Sequence, residues 1–469
     1  MQIPVRIYVI GLLGIAGAIL GLTTANPWLT AEAFVALMLI VIVAWRTDEP
    51  PALLFIGSMQ WMAAAIALLR ADYEGRELWT YSRSAHIDEA TALSLAAVTV
   101  FVVGVRLGFG RPVLPIEGPA TMTSGISNRL LMLWLGSIPA IAALRFLDVG
   151  GFSQAIRALV QAKWVIVLLL FMVLIRRRAA WPYVLGVLVA EVGLGFLSFF
   201  AGFKTPFFLL AIAFLGAQRQ FRLSVALSVA AVAALTICLG VVWTAIKADY
   251  RDYISGYSGQ QSIEVSTDEQ VVEFRSLVEA LDGDRMSRAV ESLVVRIGYV
   301  EFFAAVMDFV PRVVPHEEGR RVLGAFEHVL SPRILFPEKP VLDDTADTER
   351  YTGLDLNSGR QTSISIGYPA ESYVDGGVTW MFLPVLFFGW LHGRLGRTLL
   401  RATRDPVIAT AFVTIFLLNA DTLENGLAKM LGGDVMMFGV FFAAAKMCAP
   451  TLSRFLWRGV SFETRRVAV

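Results

Sequence analysis

Continuous apolar runs of about twenty residues recur along this chain. That length is decisive, because roughly twenty helical residues cross a hydrocarbon layer of about 30 Å. A backbone in that layer must satisfy its own hydrogen bonds, which leaves helices and closed barrels. A barrel would show segments of about 10 residues alternating in polarity, and these runs do not alternate. The 469 residues are 56% hydrophobic and 17% charged, against roughly 25% charged in soluble domains. The expected fold is therefore an all-α polytopic membrane protein.

Twelve candidate spans are read at about 4–22, 29–45, 52–69, 90–108, 129–147, 162–176, 180–200, 204–218, 223–246, 376–394, 405–420 and 430–447. Gly202-Phe203-Lys204-Thr205-Pro206 interrupts the stretch 180–218, which reads as two short spans or as one span and a re-entrant element. The first run follows Arg6 and mimics a signal peptide, but the nearest Ala-x-Ala, Ala31-Glu32-Ala33, already lies in the next run. An uncleaved helix is the expectation. With both termini cytoplasmic, the inside segments carry 19 Lys/Arg and the short outside loops carry 8. This is the bias that orients membrane proteins.

The same orientation places a polar insert, 247–375, on the outer face. It divides the chain into helices 1–246, the insert, and helices with a tail over 376–469. The insert holds 23 Asp/Glu against 13 Lys/Arg. Residues 286–310 and 320–330 have helical apolar spacing, which predicts short helices against the membrane face. Pro311, Pro315, Pro332, Pro337 and Pro340 then punctuate the chain. A net charge of +1 gives no global pull towards nucleic acid. Cys238 and Cys448 lie in or at the end of spans and read as packing residues.

Candidate chemistry lies in the cations of the outer face. Arg296 sits in a largely apolar helix, where it snorkels to water, pairs with Glu291 or Glu301, or meets an anion. Arg333 and Lys339 belong to a proline-fixed loop that presents two charges, an anion clamp or a structural turn. Lys204 stands at a helix start, where free N–H groups add partial positive charge, or it anchors the interface. Arg360 and Glu371 bracket the segment before the tenth span. Burial would raise a carboxyl such as Glu371 into the range of a general base, and an ion pair with an arginine is its bland alternative. His328 is the next candidate base, Tyr299 and Tyr373 are candidate substrate contacts, and His316 reads as solvated beside Glu317 and Glu318. Asp282-Gly283-Asp284 fits a solvated turn better than a metal–nucleotide site. No HExxH, GxSxG or P-loop occurs on the outer face.

Four features together resemble the Wzy-type oligosaccharide repeat-unit polymerases, grouped with the O-antigen ligases among C-type glycosyltransferases. They are the single large late loop, the cation in Gly202–Pro206, the phrase P-R-x-L-x-P-x-K-P at 332–340, and E-x-Y-x-x-G-G at 371–377. The resemblance implies a polymerase in the bacterial inner membrane. It would join oligosaccharides carried on undecaprenyl diphosphate, on the periplasmic side, with inversion and with undecaprenyl diphosphate leaving. It implies no metal or cofactor, and as partners the bilayer, a flippase and a chain-length regulator. Lys204, Arg296, Arg333, Lys339 and Arg360 would hold the diphosphate, and Glu371 or His328 would take the proton. One family feature departs: the R-x10-G spacing occurs only at Arg6–Gly17 and Arg46–Gly57, on the cytoplasmic side. A ligase passing glycan to lipid A core or protein is the near alternative, and a lipid-linked glycan transporter the more distant one.

Overall fold

The structure, a computed structural model, describes residues 5–46, 49, 51–110, 124–145, 153–177, 180–196, 202–216, 223–258, 263–331, 335–336, 338–339, 341–356 and 363–458. Helices α1 (Val5–Gly21), α2 (Pro27–Ala44), α3 (Ala52–Tyr73) and α4 (Ile87–Phe109) open the chain. They are followed by α5 (Ser124–Arg145), α6 (Ser153–Arg176), α7 (Trp181–Phe196), α8 (Lys204–Gly216) and α9 (Leu223–Ile254). The insert supplies α10 (Thr267–Glu279), α11 (Gly283–Ile297), α12 (Val300–Phe309), α13 (Arg320–Leu330) and α14 (Asp344–Thr352). The last helices are α15 (Gly367–Trp380), α16 (Phe382–Leu400), α17 (Pro406–Leu417), α18 (Leu427–Met447) and α19 (Ala449–Leu456). No strand occurs among the described residues.

Among the described residues, α2, α3, α4, α5, α6, α9 and α18 are long and apolar enough to cross a membrane. The other five expected spans fall on α1, α7, α8, α16 and α17. Four of these are short, and α16 carries His392, Arg394 and Arg397.

The chain forms two compact units, Met1–Ala120 with Leu133–Val165 and Gly298–Val469, and Thr121–Met132 with Ile166–Ile297. The insert is thus divided at 297/298. In the first unit α4 is central and packs against α2, α3, α12 and α16. The α4–α16 contact depends on glycine. A methyl on Gly104 would stand 2.5 Å from the Leu386 carbonyl, and one on Gly108 would run into the Trp390 carbonyl. Gly389 and Gly393 face α4 in the same way, meeting the carbonyls of Phe101 and Val105. Each helix therefore offers a small-xxx-small stripe, which lets backbones approach closely where lipid gives no hydrophobic drive. Fully buried His392 ties α16 to its neighbours, with Nδ1 2.8 Å from Asp434 Oδ2 on α18 and Nε2 3.2 Å from the Leu417 carbonyl on α17.

In the second unit α9 is the spine, and α8, α10 and α11 pack on it. Its interior is aromatic. Phe196 stacks on Phe203 at 4.4 Å between ring centroids, and Trp243, Tyr250 and Phe274 complete a ring of contacts at 5.1–6.4 Å. Ser266 and Glu269 close a reciprocal capping box at the start of α10. Asp282 accepts the Arg285 N–H at 2.7 Å at the start of α11. The Asp-Gly-Asp triplet is thus a helix cap.

Candidate functional site

In the second unit, α9 continues two turns past the apolar run that signals it. Lys247 and Arg251, four residues apart, therefore share one face of a helix. Lys247 lies within electrostatic reach of Arg251, of Arg296 in the last turn of α11, and of Lys204 at the first residue of α8. Lys204 and Arg296 are exposed, while Lys247 and Arg251 are half-buried. The Arg251 guanidinium stands 5.9 Å from the Trp243 ring centroid. Like charges repel strongly where water is partly excluded, so such a grouping favours an anion among them. Sequence reasoning named Lys204 and Arg296 and missed Lys247 and Arg251, which end the apolar run and read as the start of a loop.

In the first unit the centre is Arg321, which sequence reasoning also missed. Its Nη2 lies 3.1 Å from Glu371 Oε1 and its Nη1 2.8 Å from Asp347 Oδ2. The guanidinium is 5.4 Å from the Tyr351 ring centroid. Glu371 is buried, and its other oxygen accepts the Leu427 N–H at 3.0 Å. Burial pushes the Glu371 carboxyl above its ordinary value, and Arg321 and the Leu427 amide draw it part of the way back. Both oxygens are therefore engaged, and Glu371 joins α13, α14, α15 and α18 as a structural ion pair. Asp375 plays a related part, accepting the N–H groups of Arg321 and Val322, each at 2.8 Å, as a cap on α13 from another helix. Glu317 accepts from Arg350 Nη2 at 2.7 Å and from the Tyr351 hydroxyl at 2.9 Å. Burial helps push that hydroxyl up to about 12, so it serves as a donor.

Beside this network is a cavity of about 620 Å³, within the roughly 300–1,000 Å³ range of ligand sites. Its lining is mostly apolar, from Val322, Leu323, Trp380, Leu383 and Pro384, with His316, Glu318, Ser372 and Asp375 as the polar residues; Ser372 and Asp375 are buried. His316 is half-buried, which corrects the expectation of a solvated ring. Its Nδ1 is 3.2 Å from the Val374 carbonyl, and its ring stands edge-on to Tyr373 with centroids 5.5 Å apart. A carbonyl can only accept, so Nδ1 carries the proton and Nε2 of the neutral ring is an acceptor. Gly377 interrupts α15 at φ +62°, a conformation that favours glycine. A methyl there would stand 3.2 Å from His316 Nε2.

The remaining expected residues fall elsewhere. The Tyr299 hydroxyl donates to the Ser365 carbonyl, and that of Tyr373 to the Val310 carbonyl at 3.3 Å. Both rings are buried, so they pack the first unit and offer no substrate surface. Lys339 Nζ donates to the His328 carbonyl, which closes the loop onto α13. His328 is half-buried and does not line the cavity. Arg333 and Arg360 lie outside the described residues. Cys238 and Cys448 are exposed free thiols, not packing residues.

This architecture defines an all-helical protein with helices of membrane-spanning length and apolarity, carrying a cation group in one unit and a largely apolar cavity in the other. The chain belongs to the family described as Domain of unknown function (DUF8712), whose model matches residues 76–398. No curated protein and no solved structure matches it.

Proposed function

We propose that this protein is an inverting glycosyltransferase of the bacterial cytoplasmic membrane that uses lipid-diphosphate-linked oligosaccharides and extends a glycan by one repeat unit. The observation that carries the reading is the gathering of Lys204, Lys247, Arg251 and Arg296 from α8, α9 and α11, next to a helix apolar enough to span. Their chemistry suits a diphosphate attached to a lipid, since guanidinium forks and ammonium groups meet phosphate oxygens with charge-assisted hydrogen bonds. The same charges stabilise the negative charge that builds on the departing oxygen, an effect often worth several kcal/mol where water is scarce. The acceptor hydroxyl forms the new bond to the anomeric carbon and gives up its proton to water, the bond to the diphosphate breaks, and the lipid diphosphate leaves with the electron pair. The excess of Lys/Arg in the expected inside loops supports cytoplasmic termini and a periplasmic insert.

The test is made in cells and with purified protein. Arg296→Ala and Lys247→Ala are expected to abolish long glycan while single repeat units accumulate and the protein still inserts. Full-length polymer from both variants would refute the cation site. Long lipid-linked polymer accumulating in a deletion strain would point instead to the ligase. Failure of the purified protein in liposomes to lengthen lipid-linked repeat units, without nucleotide or ion gradient, would refute transferase activity.

A further inference from the structure

α16 starts at the cavity, α18 starts beside Glu371, and both finish at the opposite end of the first unit. There the turn into α17 meets α19 through one carboxylate. Asp405 Oδ1 caps α17, accepting the Val407 and Ile408 N–H groups at 3.0 and 3.2 Å. Its Oδ2 accepts the Ser453 hydroxyl at 2.7 Å and the Trp457 indole N–H. Asp405, Ser453 and Trp457 each have an arginine beside them in the chain: Arg404, Arg454 and Arg458, all exposed. One buried carboxylate thus brings three arginines together from two distant segments. Arg394, Arg401 and Lys446 are exposed at the same end. The acidic residues described there are both buried and engaged: Asp405, and Glu49, which pairs with Arg106. Every exposed charge described at this end of the first unit is therefore positive.

The depth of this corner follows from α18. Its 21 residues extend about 31 Å, close to the thickness of a hydrocarbon layer. At 8 residues α19 is too short to span. It follows α18 directly, so it starts where the hydrocarbon ends. Ala449 and Leu456 are fully buried against the protein, while Phe455 is exposed beside Arg454. Met447, at the joint of the two helices, is exposed as well. At that level an exposed apolar side chain sits among acyl carbons while neighbouring guanidinium groups reach the headgroups. We infer that the α17–α19 corner binds the headgroup of an anionic phospholipid, with Arg404, Arg454 and Arg458 on its phosphate and Phe455 against its acyl chains. Charge complementarity selects this partner. A zwitterionic headgroup brings its own cation into a group of arginines, and an anionic one does not. The inference rests on membrane insertion and not on the transfer reaction.

Lipid titration of the detergent-purified full chain, read by native mass spectrometry, tests the corner. The probes are dioleoylphosphatidylglycerol, dioleoylphosphatidylcholine, and glycerol 3-phosphate, which carries the phosphate without the chains. Phosphatidylglycerol is expected to bind roughly tenfold tighter than phosphatidylcholine or better, since each arginine near a membrane surface is worth roughly fivefold on an anionic lipid. Combining Arg404→Gln, Arg454→Gln and Arg458→Gln is expected to remove the preference, and each change alone to weaken it severalfold. The three side chains are exposed, so the thermal midpoint of the triple variant stays near wild type. Arg275→Gln, an exposed cation of the second unit, is expected to keep the full preference. Excess glycerol 3-phosphate is expected not to displace the lipid. Equal binding of the two lipids by wild type overturns the inference and leaves the corner to an acidic protein surface. An undiminished preference in the triple variant, or the same loss in Arg275→Gln, also overturns it. Displacement by glycerol 3-phosphate overturns it in favour of a free phosphate compound.

Discussion

Replacing Arg321 with Met removes the one cation paired with Glu371 among the described residues and leaves the backbone contacts of α13 in place, because Asp375 bonds to the Arg321 and Val322 amides and not to the side chain. Glu371 then stays charged while buried or takes up a proton. A carboxyl with an ordinary value of 4.5 pays about 3 kcal/mol to be protonated at pH 7, at about 1.4 kcal/mol per pH unit. That is near the lower edge of the roughly 3–5 kcal/mol typical of stranding one member of a buried pair. Asp347 adds little, because its side chain is 35% exposed and remains solvated. At pH 5 the same proton costs less than about 1 kcal/mol. The penalty therefore has a definite pH dependence. Burial raises the folded value of Glu371, so its contribution is full below the ordinary carboxyl value and is lost as pH rises through the folded value. Losing Arg321 raises that value further and widens the window. Thermal unfolding in detergent at pH 5 and pH 7 is the assay. Arg321→Met is expected to unfold well below wild type at pH 7 and close to it at pH 5. Adding Glu371→Gln to that background is expected to recover most of the loss and flatten its pH dependence. Equal midpoints for Arg321→Met and wild type at pH 7, or a penalty that does not change with pH, would refute the reasoning.

Gly393→Ala would push a methyl into the Val105 carbonyl and to 2.8 Å from the Phe109 nitrogen, so a destabilisation of about 1–3 kcal/mol is expected from overpacking at the α4–α16 contact; an unchanged midpoint in a thermal scan would remove the close-approach argument. Asp375→Ala should cost about 1–2 kcal/mol as a lost cap, with faster hydrogen exchange at the amides of Arg321 and Val322. Protection at those two amides equal to wild type would show that the cap contributes nothing.

Much of the fold was legible because a membrane span is a local property. The runs that became α2, α3, α4, α5, α6, α9 and α18 declare themselves by length and apolarity alone. The expected short helix over 320–330 coincides with α13 for a related reason, since the spacing of its apolar residues does not depend on distant partners. Legibility ended where charged residues continue a helix. The run of α9 stops at 246, yet the helix proceeds to Ile254 and carries Lys247 within electrostatic reach of Arg251 and Arg296. Glu371 was found from its place before a late span, but its partner Arg321 is fifty residues earlier and sits beside Arg320 with nothing local to distinguish them.

The amino-acid sequence by itself determined that this chain is helical, that many of its helices have the length and apolarity of a membrane span, and that its polar insert is broken into short amphipathic pieces, because these depend on residue type and spacing within one element. Tertiary structure alone decided which cations share a neighbourhood, that Glu371 is locked by Arg321, and that His316 turns Nε2 towards Gly377 beside a cavity also lined by Trp380. Those outcomes depend on the meeting of segments far apart in the chain, and on the position of a single backbone bend.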